Sequence, residues 1–547
     1  MAQSLTGTSL ATTTAASVRR VAFRFIVDWA GVGFANVASW TDESAYVRTI
    51  RGDMQALGWM QSLGEVGHGV SDVCYITVAN VEDTTTGRRF SPSNADGPLY
   101  DYIKDGAVCM TRAIVEMGFY SGSTAERLRQ ITGYIVDFSE TNTQGTVMFE
   151  IRDRAAMYAL CQASTTLQVD VSADDYITNI AQLADAADDV MSGVPSDTPV
   201  SLFDSLTGGG QVEYGMIPMD YAWMDDESVW REMADVAEAQ LGRVYFDKAG
   251  NFRFEDGAHL VAPVNVLGKA HRGADLIDPA TSQFTFDTSD FGACNPEYDY
   301  NSLFNHVIVE YFPRYVSVTQ SVYEASETYV IPPEGSLTVK AEFRYPVSSV
   351  VTPVAETDYQ ANTSSGRDMN TDLTLTLANY ATFSQIMMAN ANADYAMYMT
   401  VLQLRGTPVL PYPACKYEVE DTASIGIYGR RTKKINNPYI QSYRHAQMVG
   451  DYLLARFKSP VQQVSLTGCR GVPWLECGDR VTVESDNLDD TYNEYLIGRI
   501  AWSYGPNQPY RMDFDLLRAS DLFSITDYFV VGVSVYGGGP GHGHLFW

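Results

Sequence analysis

The sequence predicts a mainly β protein of several domains, with α+β modules between the β-rich blocks. A chain of 547 residues is too long for one hydrophobic core. Aromatic residues make up 12% of it, including 34 Tyr and 23 Phe, and such residues favour strands. From residue 21 onwards, short apolar runs such as residues 73–78 and 130–138 alternate with turn residues. This pattern predicts a barrel or a sandwich.

The sequence pattern of residues 226–254 predicts a helix followed by a β-hairpin. Capping oxygens are available from three residues, Asp225, Asp226 and Ser228. Apolar residues then recur at helical spacing, and Gly242 is expected to end the helix in a left-handed conformation. Residues 248–251 form the predicted turn of the hairpin. We expect Trp230 and Leu241 to be buried between the helix and the hairpin.

Two further helices are predicted, at residues 173–191 and at residues 442–457, where Ser442 is a suitable N-cap. Residues 320–420 are mostly β in character, with Gly, Ser, Thr and Asn turns. From residue 527 the chain has a short apolar run and then a glycine-rich sequence.

The charge is strongly acidic, because 67 acidic and 37 basic residues give a net charge of −30. A protein that binds nucleic acid by neutralising phosphates carries the opposite balance. The acidity serves either solubility or a surface that repels a polyanion, and composition does not decide between them. No apolar run approaches the roughly 18 residues of a membrane-spanning helix. The first residues lack a signal peptide's basic start and apolar core, so we interpret residues 1–20 as a polar extension.

No reactive motif emerges from the sequence. The seven cysteines are scattered without a Cys-x-x-Cys pair, which indicates reduced core residues of a protein made in a cytoplasm. His542 and His544 lack a third metal ligand, and residues 31–36 have two glycines of a dinucleotide fingerprint without a βαβ unit. Adjacent acids are expected by chance among so many: Asp188/Asp189, Asp225/Asp226 and Asp489/Asp490. The sequence therefore assigns no catalytic, cofactor-binding or metal-binding residue and predicts a protein that is not an enzyme, although a site assembled from distant residues stays open.

Several segments, in their order along the chain, resemble one family. They are the strand and loop of residues 73–106, which contains Gly87-Arg88-Arg89-Phe90-Ser91-Pro92-Ser93-Asn94; the Gly133-Tyr134 strand and its successor in residues 130–153; the helix and hairpin of residues 226–254; Tyr428-Gly429-Arg430-Arg431-Thr432; the helix at 442–457; and Pro473-Trp474-Leu475-Glu476-Cys477-Gly478-Asp479-Arg480-Val481. Together they resemble the minor tail proteins of long-tailed bacteriophages that form the baseplate or tail-tip hub. The resemblance covers most of residues 20–520.

The resemblance implies an assembly protein of the virion, synthesised in the host cytoplasm and lacking cofactors. Hubs of this kind are homotrimers in which each subunit contributes two related, tail-tube-like β-barrels, so that six barrels meet the sixfold tail tube. The implied partners are the tail tube or distal tail protein, the tape measure protein, and fibre or tip proteins. DNA is expected to pass through the channel without specific binding.

On this basis the chain divides into eight expected segments: 1–20, an N-terminal extension; 21–165, the first β-barrel; 166–261, the α+β helix-hairpin domain; 262–319, the start of the second β-barrel; 320–420, a β-rich inserted domain; 421–460, a helical connector; 461–520, the completion of the second β-barrel; and 521–547, a C-terminal glycine-rich tail. The inserted domain and the tail depart from the simplest hub pattern, which suggests attachment surfaces for other tail proteins or for the host.

Two alternatives remain. One is a receptor-binding tail protein for host saccharide, which requires exposed aromatic platforms around Tyr221, Trp223 and Trp230. The other is a tail-associated cell-wall hydrolase, for which no motif is present. For a hub, we expect Asp and Glu to line the lumen. The basic pairs Arg88/Arg89 and Arg430/Arg431 are expected in salt bridges or at protein–protein contacts.

Overall fold

A computed structural model describes residues 3, 5, 9–16, 19–55, 71–83, 87–100, 110–141, 145–192, 211–213, 215–257, 282–488, 493–505 and 508–519. Several features singled out in the sequence lie outside these residues: the C-terminal tail 521–547 with His542 and His544, the Asp489/Asp490 pair, Cys109, and residues 262–281 of the expected second barrel. Within the described residues the fold is mainly β, with several sheets and α+β modules, as the sequence predicts.

The N-terminal block consists of a short helix and nine strands: α1 (Leu10–Ala15), β1 (Val21–Val27), β2 (Thr41–Asp42), β3 (Val47–Gln55), β4 (Val73–Ala79), β5 (Glu82–Asp83), β6 (Gly87–Arg88), β7 (Thr111–Ser121), β8 (Thr124–Thr141) and β9 (Thr146–Asp153). Two 3-10 turns, Phe34–Ser39 and Ser44–Tyr46, lie between β1 and β3.

The α+β module follows: α2 (Ala155–Leu160), β10 (Gln162–Ser164), β11 (Gln168–Val171), α3 (Ala173–Ser192), β12 (Gln211–Val212), β13 (Met219–Ala222), β14 (Asp225–Ser228), α4 (Val229–Ala239), β15 (Arg243–Phe246) and β16 (Phe252–Glu255).

The remaining elements are β17 (Phe284–Phe286), β18 (Ala293–Asp299), β19 (His306–Tyr311), β20 (Arg314–Val316), β21 (Gln320–Glu324), β22 (Tyr329–Ile331), β23 (Ser336–Glu342), β24 (Val347–Val351), β25 (Tyr359–Asn362), the 3-10 turn Asn370–Asp372, β26 (Leu373–Asn379), β27 (Phe383–Asn390), β28 (Met397–Pro411), β29 (Cys415–Glu420), α5 (Thr422–Tyr428), β30 (Thr432–Asn436), α6 (Tyr443–Phe457), β31 (Val461–Arg470), β32 (Arg480–Val483), β33 (Glu494–Gly505) and β34 (Gln508–Arg518).

One 13-stranded sheet joins the N-terminal and C-terminal β blocks. Its order is β18-β31-β34-β33-β3-β4-β9-β8-β7-β1-β2, and β32 and β17 continue from β33 as a side branch. The two blocks meet where β3 pairs antiparallel with β33, from Ile50 opposite Tyr504 to Gln55 opposite Arg499. Among the described strands the pairing follows an open path and does not close into a separate barrel in either block. The two blocks expected from the sequence are therefore continuous with each other.

The sheet curls back on itself at this junction. The rings of Phe23 on β1 and Tyr504 on β33 lie 5.2 Å apart between centroids, although five strands lie between β1 and β33 in the sheet. The interior of the curl is apolar and aromatic, with Phe149 of β9 packed against Phe25 and Phe90. Of the six cysteines in the described residues, all are free and four are buried, as expected for a reduced protein.

The inserted region has its own core. The long strand β28 pairs along its length with five shorter strands, β20, β21, β22, β24 and β25. The separate sheet β23-β27-β26 packs nearby, and the buried side chains of the insert, among them Ile386, Met388 and Leu404, form a cluster distinct from the main core. This separation supports our proposal that residues 320–420 form a domain of their own.

The predicted helix-hairpin of residues 226–254 is confirmed, but its helix ends differently from the prediction. Leu241, rather than Gly242, has the left-handed φ, at 55°. The N–H of Gly242 donates to the carbonyl of Ala237 at 2.8 Å, which closes the last turn. A Cβ on Gly242 would lie 2.2 Å from the carbonyl oxygen of Glu255. Glycine is thus required here for close approach of the hairpin backbone.

The N-terminal end of this helix is also simpler than predicted. Ser228 is the N-cap, and its side chain accepts a bond from the N–H of Arg231 at 3.5 Å. Asp225 and Asp226 lie in β14 instead of the first helical turn, and the Asp225 carboxylate accepts a hydrogen bond from Thr382 of the insert at 2.7 Å. Helix capping therefore depends on the serine alone among the three residues considered.

Trp230 and Leu241 are buried as expected, with 8% and 4% of their surfaces exposed. The indole of Trp230 stacks on Phe246 of the hairpin at 5.9 Å and meets the edge of Tyr158 on α2 at 6.4 Å. The tryptophan thus joins its own helix to the hairpin and to α2.

Replacing Trp230 with alanine is expected to destabilise this module by about 3–5 kcal/mol, because it removes a large buried ring and leaves a cavity. Arg231→Ala is the matched control, since its side chain is 73% exposed on the same helix. Urea unfolding, followed by hydrogen exchange in residues 229–255, measures the difference. Equal effects of the two substitutions would contradict the packing role.

Candidate functional site

A buried lysine stands at the tip of the hairpin. Lys248 is 1% exposed, and its ammonium donates to Gln130 Oε1 at 3.0 Å and to the carbonyls of Pro473 and Leu475 at 3.2 and 2.6 Å. An ammonium has three N–H donors, so these three acceptors use all of them. One side chain therefore links the hairpin, strand β8 and the loop before β32.

Backbone contacts hold the hairpin tip in the same place. Thr132 Oγ1 donates to the carbonyl of Lys248 at 2.9 Å, and Arg129 Nη1 donates to the carbonyl of Ala249 at 2.9 Å. Gly250 has a φ of 87°, and a Cβ there would lie 2.8 Å from Thr132. The turn needs glycine both for its conformation and for its contact with β8.

A second buried cation lies beside the first. Arg243 pairs with Glu255 at 2.6 Å, and both side chains are almost fully buried. Gly478 has a φ of 90°, and a Cβ at this position would lie 2.2 Å from the Arg243 guanidinium. This contact explains the glycine of the Gly478-Asp479-Arg480-Val481 motif, which leads into β32 as a structural turn.

Carboxyl groups are buried around the same junction. Burial raises the pKa of Glu476 to about 7 and the pKa of Asp153 to about 7. Burial and the neighbouring Asp153 charge raise the pKa of Asp72 well above its ordinary range. Burial lowers the pKa of Lys248, and the nearby carboxylates, Glu476 foremost, oppose that effect. Asp153 accepts hydrogen bonds from Ser71 Oγ and from the N–H groups of Asp72 and Ala155, so it organises backbone.

A second cluster joins α4 to the rest of the chain. Glu232 is 7% exposed, and its Oε1 accepts hydrogen bonds from the hydroxyls of Tyr176 on α3, at 2.7 Å, and of Tyr439. Burial raises the pKa of Glu232 to about 7, although the two tyrosine hydrogen bonds favour the ionised form. One carboxyl thus connects α3, α4 and the segment before α6.

The segment between β30 and α6, together with the first turn of α6, binds the end of α4. Asn437 Nδ2 donates to the carbonyl of Asp235 at 2.8 Å, and His445 Nε2 lies 2.6 Å from the carbonyl of Ala239. Burial lowers the pKa of His445 to about 4, so the neutral ring donates this bond at pH 7. Gln441 exchanges two hydrogen bonds with the backbone of Tyr221, at 2.8 and 2.7 Å. The contacts of Asn437 and His445 thus bind carbonyls near the end of α4, and those of Gln441 attach the same segment to β13.

A cleft of about 440 Å³ opens beside Glu232. Its walls carry five acids (Asp225, Glu227, Glu232, Asp235 and Glu238), together with Arg231, Arg314 and Trp223. The Arg314 guanidinium lies 4.6 Å from the centroid of the Trp223 ring and covers part of it. Trp230 is buried, and Tyr221 and Trp223 are half-buried, so these three residues do not form the open aromatic platform that the saccharide-binding alternative requires.

The described residues contain no group of three or more His, Cys, Asp or Glu that could hold a metal ion. In the same part of the chain no helix is long and apolar enough to cross a membrane. The two glycines at 31 and 33 form a tight turn, in which the Asp28 carboxylate accepts from the N–H groups of Val32 and Gly33 at 2.9 and 2.8 Å. The interpretation of these glycines as a turn is confirmed.

The salt-bridge interpretation of the basic pairs is confirmed for one arginine of each. Arg89 pairs with Glu43 at 2.7 Å, and Arg430 pairs with Glu420 at 2.5 Å. Arg431 contributes through its backbone, whose N–H donates to Asn305 Oδ1 at 2.8 Å, and its side chain contacts the carbonyl of Tyr300. The expectation that these pairs also lie at contacts between proteins stays a prediction.

No family model and no curated protein matches the chain. In structure it is similar to a tail protein from Neisseria meningitidis MC58, with a TM-score of 0.46, 9% identity, and coverage of 91% of this chain and 97% of that one. It is similar to the 43 kDa tail protein of prophage MuSo2 from Shewanella oneidensis, with a TM-score of 0.44, 12% identity, and coverage of 92% and 100%. A third similar structure is an E. coli type VI secretion component, itself described as similar to the T4 tail proteins gp27 and gp5; the TM-score is 0.33, the identity 9%, and the coverage 86% and 73%.

Removing the Lys248 ammonium is expected to loosen the junction. Lys248→Ala should cost about 3–5 kcal/mol, because Gln130 and two carbonyls lose a buried charged donor. Lys416→Ala is the control, since Lys416 is 60% exposed in a surface pair with Glu310 and should contribute less than about 1 kcal/mol. Urea unfolding measures both variants. Similar stabilities of Lys248→Ala and the parent chain would show that the junction does not depend on this charge.

The buried carboxyl groups predict the direction of a pH dependence. The folded pKa of Glu232, about 7, lies above its ordinary value of 4.5. Its contribution to stability is therefore complete below about pH 4.5 and is lost as the pH rises through 7, a difference of about 3 kcal/mol. Glu232→Gln should flatten this part of the profile, whereas Glu227→Gln, at a half-exposed position, should not. Thermal unfolding between pH 4.5 and 8 measures the slopes. Burial lowers the pKa of His445 to about 4, so this ring adds stability as the pH rises from 4.5 to 6.5 and opposes Glu232 there. The test is therefore the difference between the two profiles, and identical slopes of the parent chain and Glu232→Gln would contradict the assignment.

Proposed function

We propose that this chain is a structural hub of a bacteriophage tail tip or baseplate. In this role it joins the tail tube to distal tip or fibre proteins and forms part of the channel through which DNA leaves. It acts as a homotrimer in the virion, alongside the tape measure and tube or distal tail proteins, and it catalyses no reaction.

The observation that carries the proposal is the fusion of two β blocks into one sheet. The pairing of β3 with β33 places the N-terminal and C-terminal blocks edge to edge, and Arg499 of β33 bonds to the Asp53 carboxylate across this seam. A hub that presents two β units per subunit to a sixfold tube needs a fixed relation between those units. Continuous hydrogen bonding between the blocks supports such a relation.

The buried polar groups support a structural role. Lys248 and Glu232 are bound to partners from other segments of the same chain, and Arg243 is paired with Glu255 on the adjacent strand of its own hairpin. An enzyme of the hydrolase class needs an acid and a nucleophile or base directed at a substrate. Glu232 borders the 440 Å³ cleft, but two tyrosine hydroxyls occupy the same oxygen of its carboxyl group.

The acidity also fits a channel wall. Basic residues facing the lumen would bind phosphates with a free-energy gain from counterion release, which would retain the DNA. A wall with net negative charge repels DNA and keeps it in the aqueous centre of the channel. The net charge of −30 leaves ample acid for such a wall.

The test is electron microscopy of assembled particles that carry a label in the insert. The turn at Gly366 is suited to the insertion, because it is exposed and a Cβ added there would meet no atom within 4 Å. We expect three labels around the end of the tail tube, and acidic residues of this chain along the lumen. Labels at the periphery would indicate the receptor-binding alternative, and a basic lumen would contradict the channel role.

Activity provides the second arm of this test. Purified protein incubated with host peptidoglycan and capsule should release no reducing sugar or peptide, and Glu232→Gln should behave identically. Release by the parent chain that Glu232→Gln abolishes would replace the structural proposal with the hydrolase alternative.

A further inference from the structure

Strand β26 is an edge strand of the small sheet in the insert. It has seven residues, Leu373–Asn379, and in the described part of the chain it pairs only with β27. Its other side therefore presents a row of backbone N–H and C=O groups. An extended segment of another chain can add a strand at an edge of this kind.

The hydrogen bonds at the two ends of the β26–β27 ladder show which peptide groups form this row. Tyr380 donates its N–H to the carbonyl of Phe383 at 2.8 Å, and Ala391 donates its N–H to the carbonyl of Asp372 at 2.8 Å. Both bonds continue the register of the ladder. Because the peptide groups of an antiparallel strand alternate between its two sides, the even-numbered residues of β26 face β27. The odd-numbered residues face away from it.

The outward-facing peptide groups belong to Leu373, Leu375, Leu377 and Asn379. Within the described residues, the N–H and C=O groups of the three leucines have no hydrogen-bond partner. The strand contains no proline, so each of these positions keeps its N–H donor. We call the N–H and C=O groups of the three leucines the free edge of β26.

The side chains beside the free edge determine the kind of strand that fits it. Leu373, Leu375 and Leu377 are half-buried against the core of the insert, whereas Thr374 and Thr376 are exposed on the other face. The side chains of an added strand lie alternately on the same two faces. Apolar residues on the leucine side extend the core of the insert, and polar residues lie beside the threonines. The fitting segment therefore alternates apolar and polar residues.

The surface around the free edge is neutral, although the protein is acidic. Neither β26 nor β27 contains an ionisable residue, and Met387 of β27 is 41% exposed on the threonine face. At the opposite edge of the sheet, β23 carries Lys340 and Glu342, and charges of this kind discourage strand pairing. In a chain with a net charge of −30, the neutral edge lets another protein approach without like-charge repulsion.

We propose that the free edge of β26 binds an extended segment of another tail protein, in which apolar and polar residues alternate. The segment adds a fourth strand to the sheet β23-β27-β26. This inference rests on the proposed tail function, because pairing of β26 with the same edge of a second copy needs a two-fold axis, which a homotrimer lacks. The insert is then the part of the chain that attaches this neighbour.

Hydrogen exchange at single-residue resolution tests the proposal, with the isolated full chain and assembled particles measured side by side. In the isolated chain, we expect the amides of Leu375 and Leu377 to exchange fast and those of Thr374 and Thr376 slowly, because only the threonine amides bond to β27. In the particle, we expect exchange of the two leucine amides to slow by roughly tenfold or more. Slow leucine amides in the isolated chain would overturn the proposal, since the chain would then cover its own edge.

A photoreactive cross-linker identifies the occupant. Thr376→p-benzoylphenylalanine places the reactive group on the exposed face beside the free edge, and irradiated particles are analysed by mass spectrometry. A cross-link to a different tail protein, at a segment of alternating apolar and polar residues, supports the proposal. A cross-link to a second copy of this chain, or cross-links only within one chain, would contradict it.

Proline variants test the hydrogen bonds of the free edge. Leu375→Pro removes an N–H that faces away from β27, so the ladder to β27 keeps its bonds. Thr338→Pro on β23 is the matched control. Phe343 donates its N–H to the carbonyl of Thr382 at 2.7 Å, so the even-numbered residues of β23, Thr338 among them, also face away from β27. We expect Leu375→Pro to abolish the slowing at Leu377 in the particle and Thr338→Pro to preserve it, and equal slowing in both variants would refute the proposal.

Slow exchange at Thr374 and Thr376 shows that Leu375→Pro retains its sheet. If this protection is lost, Thr376→Lys replaces the proline variant with the same expected loss of slowing, because a charge on an edge strand opposes pairing and leaves every peptide group in place. Thr338→Lys is then the control. The location of the chain separates this inference from the proposed function. A chain at the tail end whose leucine amides stay fast would overturn the inference alone, and a chain absent from the tail end would overturn both.

Discussion

The architecture of the main body depends on a charge buried where three segments meet. The Lys248 ammonium is removed from water and is stable only because Gln130, Pro473 and Leu475 offer acceptors in the right places. These residues come from parts of the chain more than 100 positions away from the lysine. The charge is satisfied only when the β8 strand, the hairpin and the loop before β32 are all correctly placed, so it penalises partial or alternative arrangements.

The α+β module consequently contacts both β blocks and holds them in a fixed relation. Its hairpin is anchored through Lys248, and its helix is anchored through Glu232 and through the bond from His445 to the end of α4. The pairing of β3 with β33 adds a continuous hydrogen-bonded seam between the blocks. Each anchor joins residues that are distant in sequence, and together they make the positions of the blocks mutually dependent. Movement of one block relative to the other would have to break several of these contacts together.

The sequence was sufficient to predict local structure, but it did not predict the junction at which Lys248 joins the hairpin to the two β blocks. The helix and hairpin of residues 226–254 could be predicted because capping, periodicity and turn residues are local signals. The sequence predicted a left-handed conformation for Gly242, and that prediction is wrong. Glycine is needed at this position because the Glu255 backbone packs against it, and this contact exists only in the folded chain. Lys248 had the appearance of an ordinary turn residue, and no local pattern marks Glu232 as the acceptor for two tyrosines. These roles arise from contacts between segments that are far apart in the chain. The pairing of β3 with β33 is a contact of the same kind, and for that reason no sequence pattern predicted it.

The buried groups also clarify where the acidity resides. Burial raises the pKa of Asp72, Asp153, Glu232 and Glu476, so these four carboxyls hold less negative charge near pH 7 than their number suggests. Even complete neutralisation of the four would remove a small part of a net charge of −30. Buried pairs such as Arg243 with Glu255 cancel within the core. Most of the acids in the described part of the chain are exposed or half-buried, so the excess of negative charge there lies mainly on the surface. Such a surface does not retain DNA through its phosphates, and it favours partners that present basic or neutral faces.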